Sequence, residues 1–275
     1  MKVFNTAGPC VPGKHYMLDP LARLPRAQRL AEQGSYFVVH GPRQSGKTTL
    51  LTLLAQALNA TGRYAALCFS WETAARVEDV AAIPGHLLAA MRDAAEDYGL
   101  PDACLPPDPW PDAPYPRVLV RALSSWAAKS LLPLVLLCDE VDLLAGSALG
   151  TVLRQLRDGA TSPTMPFPHS IALCGIRDVS RCTVVSDEGS SSSGTPVPFN
   201  ISVASLRISD FSLDEVAELY GQHTEATGQV FEAAAVQRAF EASQGQPWLV
   251  NALAGHACAP WLGAGQGAQH GAGYL

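Results

Sequence analysis

Charge is scarce in this chain. Asp, Glu, Lys and Arg make up 16% of its 275 residues while hydrophobic residues reach 48%, a balance that excludes global disorder and permits a large core. A basic excess is missing as well. The formal net charge is −6, whereas a dedicated nucleic-acid binder neutralises phosphates with surplus Lys and Arg, so no nucleic-acid partner is expected. Long apolar runs are absent too. The longest, Leu131 to Cys138, contains Pro133 and falls well short of the roughly 20 residues a membrane span requires. Met1 to Cys10 has no apolar stretch like that of a secretion signal. The expectation is a cytoplasmic protein with no membrane partner. Cysteine is present but unpatterned: Cys10, Cys68, Cys104, Cys138, Cys174, Cys182 and Cys258 are odd in number and form no Cys-x-x-Cys pair. They read as reduced thiols, those in apolar strands acting as small hydrophobes, and not as a disulfide or zinc framework.

The length suits one large domain or a domain with a small lid. A helix is predicted over residues 21–33 and a buried strand over 35–40. A helix follows over 48–59, with Leu50, Leu51, Leu53, Leu54 and Leu58 at helical spacing. A strand is expected at 64–70. Pro84-Gly85 reads as a break before a helix over 86–98. Prolines crowd residues 101–116, which reads as an exposed surface loop, with a partner for a polyproline groove as the alternative. A helix at 118–131, an apolar strand at 133–138, a helix at 149–156 and a strand at 170–175 come next. Residues 186–198 are polar and read as mobile, and 199–203 as a weaker fifth strand. From Phe211 the pattern turns helical. Ser212 with Glu215 three residues later is a capping-box signature, a helix is expected over 232–243, and Pro247 suits the first turn of another. This divides the chain into an α/β domain over 1–209, a helical lid over 210–255 and a disordered tail over 256–275. Asn251 to Leu275 contains no Asp, Glu, Lys or Arg, and helical periodicity stops there. That tail is expected to come from a truncation or altered reading frame of a longer domain.

Chemistry concentrates first in Gly41-Pro42-Arg43-Gln44-Ser45-Gly46-Lys47-Thr48, between a strand and a helix. In the pattern Gly-x-x-x-x-Gly-Lys-Thr, glycines let the backbone approach phosphates closely. N–H groups and the positive helix end then face the anion. Lys47 would neutralise phosphate oxygens, Thr48 would ligate Mg²⁺, and Thr49 could bond the α-phosphate. The second element is the apolar strand ending in Asp139-Glu140, where Asp139 would hold Mg²⁺ through water and Glu140 would polarise the attacking water. Third, Arg177 follows a strand tip at the edge where open α/β sheets bind ligands. Fourth, Gly245-Gln246-Pro247 is either a rigid turn against an adenine or a plain helix start. No Asn/Thr-Lys-x-Asp element reads guanine, so ATP is expected over GTP.

Together these motifs resemble the P-loop ATPases of the AAA+/STAND kind, including AAA-like ATPases of unassigned role. The resemblance covers about residues 15–250 and rests on Gly41–Thr48, Asp139-Glu140, Arg177 and Gly245-Gln246-Pro247. It implies a three-layer α/β sandwich around a parallel five-stranded sheet, with the acidic strand beside an intervening strand. It also implies a helical lid and places residues near Tyr16–Pro20 against the base. Two departures stand out. No winged-helix or repeat module follows residue 255, and no arginine finger is evident, Arg154 and Arg157 being the candidates. The function expected is an ATP-binding, Mg²⁺-dependent ATPase acting as a nucleotide-controlled switch with a protein partner. A ring-forming motor subunit and a non-hydrolysing ATP-bound adaptor are the alternatives. A phosphoryl transferase fits less well, since Arg238 is the one arginine in the expected lid.

Overall fold

The computed structural model describes residues 1–179, 183–184, 195–196 and 201–259. In chain order the elements are α1 (Pro20–Arg23), α2 (Pro25–Glu32), β1 (Tyr36–His40), α3 (Lys47–Ala60), β2 (Ala65–Ser70), α4 (Glu72–Ala75), α5 (Ile83–Asp97), α6 (Val118–Lys129), β3 (Leu134–Asp139), α7 (Gly146–Ala160) and β4 (Ser170–Gly175). A short antiparallel pair, β5 (Thr183–Val184) and β6 (Thr195–Pro196), precedes β7 (Ser202–Arg207), and α8 (Leu213–Thr227), α9 (Ala233–Ser243) and α10 (Pro247–Cys258) complete the order. The described residues divide into two compact units: those of 24–42 with 50–208, and those of 1–23 with 43–49 and 209–259.

The first unit is built on a five-stranded sheet in the order β2-β3-β4-β1-β7, every pair parallel. β3 and β4 are buried along their whole length, as strands covered by helices on both faces must be. Their unbroken apolar sequences follow from that. The core joins Phe69, Trp71, Met91, Trp126, Leu136, Leu153 and Leu173. Trp126 Nε1 donates to Cys104 O at 2.8 Å, which satisfies the one polar atom of a buried ring. At the start of α6, two orphan backbone N–H groups find an acceptor in a neighbouring helix: Gln155 Oε1 takes the N–H of Leu119 at 2.9 Å and of Val120 at 3.3 Å. Cys138 and Cys174 are buried and Cys68 is half-buried, all in strands. Burial pushes the Cys138 thiol well up, against a smaller pull from its bond to Trp71, so it packs as a neutral hydrophobe.

Several expectations are corrected in detail. The helix expected over 21–33 is two helices, because Pro25 clashes with a helical residue before it and Leu24 turns out at φ −133°. Pro84-Gly85 does not break the chain; both lie in the first turn of α5, where the missing proline N–H has no partner to lose. The proline-rich segment is not simply an exposed loop. Pro106 and Pro107 are buried, Asp102–Cys104 forms a 3-10 turn, and Trp110 packs edge-on against Trp126 at 5.8 Å. Arg92 holds the segment by a bond to Pro107 O at 2.8 Å, an ion pair with Asp108 at 2.9 Å and its guanidinium over Trp110. The expected strand over 199–203 is instead found at Ser202–Arg207. The polar stretch at 186–198 lies outside the described residues, save 195–196.

In the second unit α8, α9 and α10 pack around Tyr220, Val216, Leu219 and Val250, joined by Tyr16 and Leu18 from the start of the chain. The Ser212 capping box forms as expected: Ser212 Oγ accepts from Glu215 N–H at 3.2 Å, and Glu215 Oε2 accepts from Ser212 N–H at 2.8 Å. Glu215 also pairs with Arg23 at 2.6 Å, 17% and 28% exposed respectively. Burial alone would raise the Glu215 carboxyl, but the bonds from Arg23 and Ser212 and the Arg23 charge outweigh it and hold it below its usual value. The helix α10 runs on through Asn251 to Cys258, further than the loss of charge suggested. Alanine-rich sequence needs no charge to stay helical, and buried Val250 and Ala254 hold this turn against the unit's core. Residues 260–275 of the expected tail lie outside the described residues. Among the described residues no helix is long and apolar enough to cross a membrane.

Candidate functional site

β1 and β3 flank β4, and all three run parallel, so His40, Gly175 and Asp139 end at one edge of the sheet. The chain leaves β1 there, and Gly41 N–H donates to Gly175 O at 3.2 Å. It then turns through Gln44 at φ 60° and Gly46 at φ +90° before α3 starts at Lys47. Gly46 is demanded by conformation rather than crowding: a Cβ there would meet nothing within 4 Å, but L side chains rarely adopt that φ. Left-handed residues spaced this way turn successive N–H groups toward one concavity, the arrangement that receives anions, and the start of α3 adds its dipole. Gly46 and Thr48 are exposed, Lys47 is half-buried, and Ser45 and Thr49 are buried. The donors, the cation and the open face fit a phosphate chain.

At the end of β3, Asp139 is 3% exposed and its Oδ1 accepts from Glu140 N–H at 2.9 Å. Glu140 itself sits in the left-handed region at φ 57°, ψ 33°. A non-glycine residue held there marks a point where the surroundings overrule local preference. Its Oε2 accepts from Ser70 Oγ at 2.5 Å, and Ser70 Oγ in turn accepts from Glu72 N–H at 3.0 Å. Ser70 ends β2 in register with Asp139. Sequence reasoning passed over Ser70; the available signal was a polar residue closing an otherwise apolar strand. Among the described residues no three or more His, Cys, Asp or Glu gather to hold a metal. Asp139 brings a single carboxylate to the strand end, and Mg²⁺ takes such a ligand where phosphate oxygens and water supply the others.

Arg177 lies exposed two residues beyond β4 at the same edge, while the adjacent Asp178 accepts from Ser205 Oγ at 2.8 Å. In the other unit, Gly245 at φ +75° starts the turn into α10. A Cβ there would lie 1.9 Å from Phe211 O, so no other residue fits without moving backbone. Gln246 caps α10 by accepting from Leu249 N–H at 2.7 Å, and its Nε2 donates to Arg43 O of the P-loop at 3.3 Å. Pro247 is buried at the first helical position. The Gly-x-Pro turn is thus a capped helix start that also touches the P-loop.

No protein-family model and no curated protein matches this chain. Solved structures do. A Walker-type ATPase of Pyrococcus abyssi is 13% identical with a TM-score of 0.61, the alignment covering 92% of this chain and 70% of that one. The Orc1 protein of Aeropyrum pernix, solved in complex with DNA, is 13% identical with a TM-score of 0.52, covering 87% of this chain and 60% of that one. At such identities the likeness speaks for the fold alone. The chain has the P-loop NTPase α/β fold, a parallel five-stranded sheet with flanking helices.

Proposed function

We propose that this protein binds ATP with Mg²⁺, hydrolyses it, and uses the exchange between ATP and ADP as a STAND-like switch read by a protein partner. The observation that carries the reading is the common edge of β1 and β3, which sends the chain into the glycine turn at one strand end and holds two acids at the other. Gly41 to Thr49 would bind the phosphates, Lys47 neutralising their oxygens. Thr48 and Asp139 would hold the metal, which when bound supplies charge neutralisation on the transferred phosphoryl group. Glu140 accepts a proton from water, and Arg177 is the cation placed to report the terminal phosphate. The helices over 210–255 act as the lid, whose turn at Pro247 borders the nucleotide.

The bond from Ser70 gives Glu140 two settings. Bonded, the carboxylate is held aside; released, it is a free base. Ser70→Ala is expected to raise ATP turnover about tenfold with ATP affinity unchanged, because a bond to a charged group is worth roughly 1.5–3 kcal/mol. Phosphate release measured at saturating ATP checks this, and turnover equal to or below wild type would remove the restraint from the mechanism. The switch is tested separately. A fluorophore on α9 is expected to respond differently to ATP and ADP, since only a ligand with unequal affinity for two states shifts them. Matching responses would leave the adaptor reading.

A ring-forming motor is the second reading, and Arg154 is the observation in its favour. Arg154 is exposed on α7, whereas Arg157 is 31% exposed and lies 3.6 Å from Asp158. The net charge of −6 keeps nucleic acid out of the proposed partners.

A further inference from the structure

Residues 3–16 form a closed loop. Val3 N–H donates to Lys14 O and Tyr16 N–H donates to Val3 O, each at 3.0 Å, which pins the two ends together. At the tip, Asn5 Oδ1 accepts from Ala7 N–H at 3.1 Å and Asn5 Nδ2 donates to Gly8 O at 3.0 Å, an Asx turn that fixes the backbone. His15 Nδ1 accepts from Val11 N–H at 2.8 Å on the return side. Phe4 anchors the base, its ring 4.8 Å from Tyr16, 5.5 Å from His223 and 5.8 Å from Tyr220. The loop is therefore a built object rather than a loose leader.

Two bonds run outward from it. Trp248 Nε1 on α10 donates to Thr6 O at 2.8 Å. Cys10 N–H donates to Thr49 Oγ1 at 3.0 Å. Thr49 is 8% exposed and lies in the first turn of α3, two residues after Lys47. A threonine hydroxyl carries one proton and two lone pairs. With one lone pair taken by an N–H, the proton must face away from that donor. A chain of two such bonds also polarises itself, so each strengthens the other.

We infer that the Cys10 backbone N–H is a positioning group: by occupying Thr49 Oγ1 it turns the threonine proton toward the α-phosphate of a bound nucleotide, and residues 5–10 form a wall of the phosphate site. This rests on the nucleotide reading above. The thiol takes no part. Burial pushes it up against a smaller opposing pull from the Asn5 bond, so Cys10 is neutral and its backbone does the positioning. The bond from Trp248 to Thr6 ties the same wall to the lid helix α10.

The test uses the full chain and a fluorescent ADP, with melting temperatures recorded for every variant. Cys10→Ala keeps the N–H and is expected to bind within about twofold of wild type. Cys10→Pro deletes the N–H, Thr49→Val deletes the hydroxyl, and each is expected to weaken ADP about tenfold. The double variant should be no weaker than either single one, because both remove the same interaction. Losses that multiply, or a Cys10→Pro protein that binds like Cys10→Ala, overturn the inference and leave the nucleotide site standing. A wild-type chain that binds no ADP overturns both. A proline at position 10 can also unseat the turn, so amide hydrogen exchange supplies a measurement without it. ADP is expected to slow exchange across residues 5–16 in wild type but not in Thr49→Val. Equal exchange with and without ADP in wild type sinks the inference.

Discussion

Lys47→Ala should abolish detectable binding of ATP and of ADP. Lys47 begins α3 directly after the left-handed turn at Gly46 and is half-buried there, so it brings a full positive charge to the start of the helix. Dipoles and N–H groups carry only partial charges, and the macrodipole amounts to roughly half a unit at the helix end. Truncating one side of a hydrogen-bonded charge pair costs about 2–5 kcal/mol, a loss of roughly thirtyfold to several thousandfold in affinity. Calorimetric titration at neutral pH measures this directly. Binding equal to wild type would detach the glycine turn from nucleotide altogether.

Glu140→Gln should retain nucleotide and lose turnover. The amide is nearly the same shape as the carboxylate and its Oε1 can still accept from Ser70, so the left-handed tip at residue 140 has no reason to move. Only the capacity to take a proton disappears. General-base assistance contributes typically about 10²–10⁴-fold, and turnover should fall by that factor with ATP affinity within about twofold. Single-turnover phosphate release, paired with equilibrium binding, separates the two. A variant that hydrolyses ATP at the wild-type rate would assign water activation elsewhere. Combining it with Ser70→Ala adds a constraint, because freeing a side chain that cannot accept a proton should restore nothing.

Much of the site was legible because its parts are local. A strand, a turn of set glycine spacing and a helix start occupy consecutive residues from Tyr36 to Ala60, and each follows from short-range sterics and hydrogen bonding. The apolar run into Asp139-Glu140 was legible for the same reason, as was the Ser212 capping box. Ser70 was not. Its bond to Glu140 spans 70 residues and exists only because β2 and β3 pair in a register that sets Ser70 beside Asp139. The proline-rich segment misled because composition forbids regular structure without forbidding burial. Arg92 and Trp126, the groups that hold it, lie on helices to either side in sequence.

The order of residues alone determined most of the strands and helices and the glycine turn between β1 and α3, and which residue types stand at their ends. It determined the left-handed turn at Gly46 as well, where φ +90° strains any side chain even though space is open. Tertiary structure decided the rest: that Glu140 is held by Ser70, and that the first residues of the chain reach Thr49. The physical reason is range. Backbone propensity and capping act within a few residues, whereas register and burial depend on which distant surfaces exclude water together.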